Sequence, residues 1–481
     1  MTVSNARQLK ELKLEMTLIE GHAFVLIRVG DDGKVADRVL YQGVDTRFFE
    51  RLWIGMNIDE MPRITPMICG VCSATHHICS VLAVDKVRGV EAPESATNIR
   101  AMINLGIHLN NQALHLVVMG LPDFLPPTEK KRSVFKLLAA RPELAKTGLK
   151  IMEYGHKVVA VFGGREIHPM NAVPGGVARP PEKEKVEELR EEFEKMRRDV
   201  ETFKREALKL LEESKEKIKM YENGTSYAIA VVDEKTGGFT PLEGVAKVID
   251  AKGNVVAEFR APDYQKVLEE KVFDYTYIRM PVLRDRGYPE GGMKTGPLAR
   301  LNIVKSYGVE EADELRDKLF EEWGKPALHP LLYHYARVVE VVAVYEMILR
   351  GLREWDFWSP PLRIEPTEVK GEGMAMIEAP RGTLIHHYRA NEKGETTFIN
   401  VITPTTFNAV AMENDLTRFF AGKNVMDMSD HEIYIHAVAI VRPYDPCMAC
   451  ATHTVADKPM GKVLIVDKNL NILREVAPWR A

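Results

Sequence analysis

Between residues 181 and 221, apolar side chains recur at Val186, Leu189, Phe193, Met196, Val200, Phe203, Ala207 and Leu210, with Glu and Lys elsewhere. That 3-4 spacing predicts one long helix with a single packed face and a solvated charged one. A second helical pattern covers 96–120, through Ile99, Met102, Ile103, Ile107, Leu109, Leu114 and Leu116. His108 and His115 lie on its course, and a histidine on such a face reads as a hydrogen-bonded core residue. Further helices are predicted at 48–54, from Ser73 onward, at 309–323, at about 330–354, and after Thr403. Period-2 patterns are shorter. Residues 21–43 read as a hairpin turning at Asp31-Asp-Gly33, and 227–232, 245–250 and 255–259 read as small antiparallel strands. Thr383–Arg389 with Thr396–Val401 reads as another hairpin, and so does 462–476. Residues 262–310 carry arginines among prolines and glycines and read as irregular. The fold class expected is α+β and mostly helical: a long-helix core with small antiparallel sheets at its edges.

Composition narrows the function. A net charge of −4 with mixed signs leaves no basic footprint for nucleic acid. No apolar run approaches the roughly 18 residues of a membrane span, and the first residues lack the apolar segment of a signal peptide. A cytoplasmic protein is expected. The organisation expected is one body over 1–453. Its parts are a hairpin and first cysteine pair (1–95), a helical core (96–222 and 309–355), a small β insert (223–308) and a C-terminal part (356–453).

Four of the five cysteines form two C-x-x-C pairs near opposite ends, Cys69/Cys72 and Cys447/Cys450; Cys79 has no partner at matching spacing. This is not a disulfide framework. Four thiolates make a soft anionic site suited to zinc, an iron–sulfur cluster, nickel or copper(I), and such a site requires the fold to bring both ends of the chain together. The first pair precedes a helical pattern, where N-terminal N–H groups favour thiolate. The Gly/Pro-rich stretch 163–176 carries no phosphate-loop spacing.

The flanks add specificity. Ile19-Glu20-Gly21-His22, Cys69-Gly-Val-Cys72-x-x-x-His76, Gly163-Gly-Arg-Glu-Ile-His-Pro169, Glu378-Ala-Pro-Arg-Gly382 and Asp445-Pro-Cys447-x-x-Cys450-x-x-His453 occur in that order along the whole chain. Together they resemble the catalytic large subunit of nickel–iron hydrogenases. Ala261-Pro-Asp-Tyr264, Pro297-Leu-Ala-Arg-Leu-Asn302 and Gly382-Thr-Leu-Ile-His-His-Tyr388 are similar to the methyl-viologen-reducing branch, which partners heterodisulfide reductase.

The resemblance implies a [NiFe] hydrogenase that cleaves H2 reversibly. Nickel would be held by Cys69, Cys72, Cys447 and Cys450, with Cys72 and Cys450 bridging to an iron that carries CO and cyanide. Arg381 and Thr405 would face the cyanides, with Asp445 close by, and His76 would tune a bridging thiolate. Cys447 would be the first proton acceptor, Glu20 the proton gate and Arg381 an electrostatic scaffold. Glu50 and His453 would hold magnesium or iron. Electrons would leave through an iron–sulfur small subunit, since no cysteines remain for clusters here. Residues 454–481 would be a C-terminal extension removed after His453. Three departures from the family pattern stand out: Leu18 and Met67 replace arginines, with Arg63 a nearby source of charge, and Asn111 replaces an aspartate. Two other readings remain: an inactive hydrogenase-like scaffold, as in the related component of respiratory complex I, and a zinc-stabilised structural protein.

Overall fold

The computed structural model describes residues 10–45, 49–125 and 133–453, together with two backbone strands, Val463–Val466 and Ile472–Val476. Four helices, Glu94–Leu114, Pro142–Gly163, Lys183–Glu213 and Leu332–Glu354, pack on one another as the core. All eight apolar positions that define the long amphipathic helix are buried. It ends at Ser214, and a separate short helix, Lys215–Lys219, follows. The other long pattern is helical to Leu114 and then widens into a π-helical turn, His115–Gly120. His108 and His115 are core residues: each Nε2 sits at hydrogen-bond distance from a carbonyl, Glu378 O at 3.0 Å and Arg442 O at 2.8 Å.

Among the described residues, three sheets of three or four strands flank this core. Ala23–Val29 and Val35–Gly43 form the expected hairpin, and a third strand, Lys10–Glu15, adds to its edge. Strands Tyr227–Val232, Val245–Asp250 and Val255–Phe259 are antiparallel as expected, but Met293–Lys294 pairs parallel to the first of them, so that sheet is mixed. Gly382–Ala390 and Thr396–Ile402 form the second hairpin, with Glu372–Ala379 as an unexpected third strand. The backbone strands Val463–Val466 and Ile472–Val476 pair antiparallel.

The expectation of irregular chain over 262–310 is corrected. Leu268–Lys271 pairs with Met280–Leu283, and Pro297–Ile303 is a helix with proline at its start. These elements are too short for a periodic signal, and their prolines and glycines mask them. Phe48 lies outside the described residues; the helix expected there is one turn, Phe49–Leu52.

Candidate metal centre

The two cysteine pairs meet in the interior. Cys69 is extended after a 3-10 turn, Thr65–Ile68, and Cys72 caps the helix Ser73–Arg88. The second pair follows Asp445, a non-glycine residue at φ +54°. That conformation costs about 1–2 kcal/mol, and Arg381 holds it: Nε donates to Asp445 O at 2.9 Å and Nη2 to Oδ1 at 3.0 Å. Cys447 then sits at the entry of the one-turn helix Met448–Ala451, its N–H donating to Thr405 Oγ1 at 3.0 Å.

The Sγ–Sγ distances are 3.4 Å for Cys69–Cys447, 3.2 Å for Cys72–Cys450 and 2.9 Å for Cys447–Cys450. All four sulfurs lie within 4.8 Å of one another and all are buried. Four thiolates around one ion at about 2.3 Å would stand roughly 3.3–3.8 Å apart; Cys69–Cys447 has that spacing and the other two pairs need to part by only a few tenths of an ångström, so the donor set can close on a single metal. The electrostatics agree. Hydrogen bonds from the neighbouring thiols push Cys72 well below the ordinary thiol range, whereas burial pushes Cys447 and Cys450 well above it. Four thiolates cannot share this pocket until a cation offsets them.

A narrow space opens beside Cys72 and Cys450, lined by Ala379, Leu384 and Pro404 with Arg381, Thr405 and His76. Arg381 is set into it by a buried ion network. Arg300 reaches Glu340 at 2.6 and 2.7 Å and Glu378 at 2.6 Å, and donates to Pro380 O at 2.9 Å, all without exposure. The turn that follows passes so close to Thr295-Gly296 that a Cβ at Gly296 would stand 2.6 Å from Arg381 O. Burial opposes charge on Arg381, but Asp445 and the thiols of Cys447, Cys72 and Cys69 hold it above the ordinary guanidinium value. Its Nη1 donates to Asn111 Oδ1 at 2.8 Å, so the neutral amide still anchors the guanidinium.

His76 Nε2 lies 3.5 Å from Cys450 Sγ, and its Nδ1 meets His386 Nε2 at 3.1 Å. His386 Nδ1 in turn pairs with the Tyr388 hydroxyl, which donates to Ser80 Oγ at 3.1 Å. The sequence pattern did not reveal this chain of partners. Glu20 reaches the opposite side of the cluster through a short parallel bridge. Glu20 N donates to Pro446 O at 3.2 Å and Met448 N to Glu20 O at 3.0 Å. Gly21, at φ +75°, permits the approach; a Cβ there would be 2.7 Å from Met448 Cβ. Glu20 Oε2 is 3.3 Å from Cys447 Sγ and accepts Ala449 N–H at 2.7 Å. A guanidinium does hold the segment before it: Arg442 donates to Thr17 O and Oγ1, both at 2.8 Å. Met67 is exposed, and Arg63 is turned to Glu60 at the surface rather than to the cluster.

A second cluster lies at His453. Its Nδ1 is 2.7 Å from Ala451 O and its Nε2 3.0 Å from Val401 O and 3.8 Å from Glu50 Oε1. Burial pushes this imidazole below the ordinary histidine range, so it is neutral and donates from one nitrogen only. With the proton on Nδ1, the Nε2 lone pair faces two oxygens. Cis ligands of an octahedral ion at about 2.1 Å stand about 3.0 Å apart; Nε2 and Val401 O have that spacing, and Glu50 Oε1, 3.8 Å from Nε2, needs a shift of about 1 Å to join them on an oxygen-seeking dication. Val401 enters through its backbone carbonyl, which leaves no mark in a sequence.

A buried four-cysteine centre assembled from distant parts of a helical chain defines a metalloprotein, and its family is shown by comparison. The nickel-dependent hydrogenase family model matches residues 47–134 and 248–453, and the chain belongs to that family. The corresponding chain of the F420-non-reducing hydrogenase vhc of Methanococcus voltae is 31% identical over 92% of this chain and 95% of that protein. Its counterpart in the F420-non-reducing hydrogenase of Methanothermobacter marburgensis is 32% identical over 92% and 94%. Among solved structures, an NAD+-reducing [NiFe]-hydrogenase in the H2-reduced state superposes with a TM-score of 0.86 at 29% identity, covering 93% of this chain and all of that one. The Ni-Fe-Se hydrogenase of D. vulgaris Hildenborough shares the fold, with a TM-score of 0.73 at 23% identity over 92% of this chain and 100% of that one.

Proposed function

We propose that this chain is the catalytic component of a [NiFe] hydrogenase and splits H2 reversibly at the four-cysteine centre. The observation that carries the proposal is the meeting of Cys69, Cys72, Cys447 and Cys450 beside an enclosed, largely apolar space. Neither a zinc-stabilised structural protein nor an inactive scaffold accounts for that space together with the intact ligand set. Nickel and iron, when bound, supply the Lewis acidity and redox chemistry that cleave H2 into a proton and two electrons with a second proton.

The chain's own residues hold the centre and move the proton. Cys69 and Cys447 would be terminal thiolates and Cys72 and Cys450 shared ones. Cys447 Sγ accepts the proton and passes it to Glu20 Oε2, 3.3 Å away. Arg381 is permanently charged and acts as an electrostatic anchor for Asp445 and for anionic ligands in the neighbouring space. Apolar walls with Arg381 and Thr405 as polar contacts support CO and cyanide as those ligands. His76 polarises Cys450. The arrangement of Glu50, Val401 O and His453 supports magnesium or iron as a further cation.

Electrons require a partner, because Cys79 is the one remaining cysteine and lies buried against the Ala375 and Leu384 carbonyls. An iron–sulfur small subunit would dock over the first cysteine pair. Met67 at 60%, Ile167 at 46% and Met170 at 40% are exposed there, and His168 ties their two segments together through Pro66 O at 3.0 Å. A heterodisulfide-reductase-type acceptor and a cytoplasmic location belong to the same proposal; no described helix is long and apolar enough to cross a membrane. Removal of 454–481 after His453 completes it. The test is H2-dependent viologen reduction by the anaerobically purified complex. Absence of both that activity and H/D exchange, in a preparation containing nickel and iron, would sink the proposal.

A further inference from the structure

Two cationic demands meet at Glu50. Arg279 Nη2 straddles the carboxylate, 2.7 Å from Oε1 and 2.6 Å from Oε2. His453 Nε2 faces the same Oε1 at 3.8 Å and lies 3.0 Å from Val401 O. Oε1 also accepts Val401 N–H at 2.9 Å, so with the guanidinium in place both lone-pair directions of that oxygen are filled. The guanidinium and a dication therefore cannot both hold Oε1, the oxygen that faces His453.

The structure also provides a second seat for the guanidinium. Arg279 Nε and Glu270 Oε1 are buried, have no hydrogen-bond partner, and face each other at 3.8 Å. A movement of about 1 Å would bring them to an ordinary charge-assisted hydrogen bond. Asn400 prepares that seat. Its Nδ2 donates to Glu270 Oε2 at 2.8 Å, and its Oδ1 accepts from Arg279 Nη2 at 3.2 Å. The charges balance in the same sense. Two carboxylates, Glu50 and Glu270, share the one guanidinium of Arg279, so an arriving dication can take Glu50 while Arg279 pairs with Glu270.

We infer that Arg279 is a two-position lock on this cation site: it closes on Glu50 when the site lacks its cation and swings to Glu270 when a hard dication such as Mg2+ or Mn2+ binds. The inference rests on the proposal that Glu50, Val401 and His453 form a cation site. Arg279 then sets the affinity of that site without being a ligand, and Glu270 acts only through Arg279.

Mn2+ titration of the full chain in its purified complex, after chelation of labile dications and followed by electron paramagnetic resonance, tests this. Arg279→Met is expected to tighten Mn2+ binding at least about ten-fold, and Glu270→Gln to weaken it by a similar factor. In the Arg279→Met background, Glu270→Gln should change the affinity less than about three-fold, because the lock it serves is gone. Additive effects of the two substitutions would overturn the lock in favour of simple long-range charge, and weaker binding in both single variants would overturn it in favour of a structural role. If Arg279→Met does not fold, an unchanged affinity in Glu270→Gln alone overturns it. Failure of the unmodified complex to bind one Mn2+ at this site would instead remove the cation site itself.

Discussion

Replacing Glu20 by glutamine changes one proton-binding atom and almost nothing else. Glu20 Oε2 accepts Ala449 N–H at 2.7 Å, and its backbone bridges Pro446 and Met448. A glutamine amide oxygen can keep the first contact, and the backbone bridge is unaffected, so Cys447 should stay in place. What is lost is a carboxylate 3.3 Å from Cys447 Sγ that can take and release a proton. A positioned acid–base group contributes about 10²–10⁴-fold, equivalent to roughly 2.7–5.4 kcal/mol of barrier at 1.36 kcal/mol per decade. H2-dependent viologen reduction should therefore fall by at least about 100-fold, while nickel and iron contents and the infrared spectrum of the centre stay unchanged. Activity within about three-fold of the parent would refute a proton route through Glu20. A loss of activity that tracks loss of nickel would show that Glu20 holds the site together instead.

Other perturbations probe the supports of the centre. Arg300→Met leaves the buried Glu340 and Glu378 unpaired, and should cost about 3–5 kcal/mol of stability, read as lower folded yield and a lower unfolding temperature; an unchanged temperature would contradict the ion network's role. His77 is buried with its pKa pushed down to about 4, chiefly by desolvation. Its folded value lies below the unfolded value of about 6.5, so the unfolded state binds more protons between those limits and stability falls as pH drops through that window, by at most about 3–4 kcal/mol from this group. His77→Gln should flatten the stability–pH curve between pH 6.5 and 4, and an unchanged slope would count against this reading. Deleting 454–481 should lower nickel incorporation during maturation, and normal loading without those residues would show that they play no part in it.

The sequence and the structure agree most closely where a signal is local or chemically rare. Eight apolar positions at helical spacing were enough to define the packed face of Lys183–Glu213. Two C-x-x-C pairs with distinctive flanks pointed to one centre, although no local feature joins residues that far apart. What stayed hidden depends on distant pairings. Arg300 lay in a stretch without periodicity, yet it is the cation that sets the Arg381 turn. Asn111 read as a missing carboxylate, and it nevertheless accepts from Arg381. His386 meets His76 across the fold, and Arg279 and Glu270 become meaningful only once Glu50 stands between Arg279 and His453. Short strands such as Met293–Lys294 follow from the sheet they join rather than from their own residues.

Everything proposed for this chain depends on its four cysteines holding a nickel–iron centre with small diatomic ligands in the adjoining space. Metal analysis combined with infrared spectroscopy of the complex, purified anaerobically with its partners, reads both the metals and their diatomic ligands. Nickel and iron are expected in equal amounts at this site, with CO and cyanide stretching bands that shift when H2 is admitted. Zinc in place of nickel, or equal nickel and iron with no such bands, would contradict it.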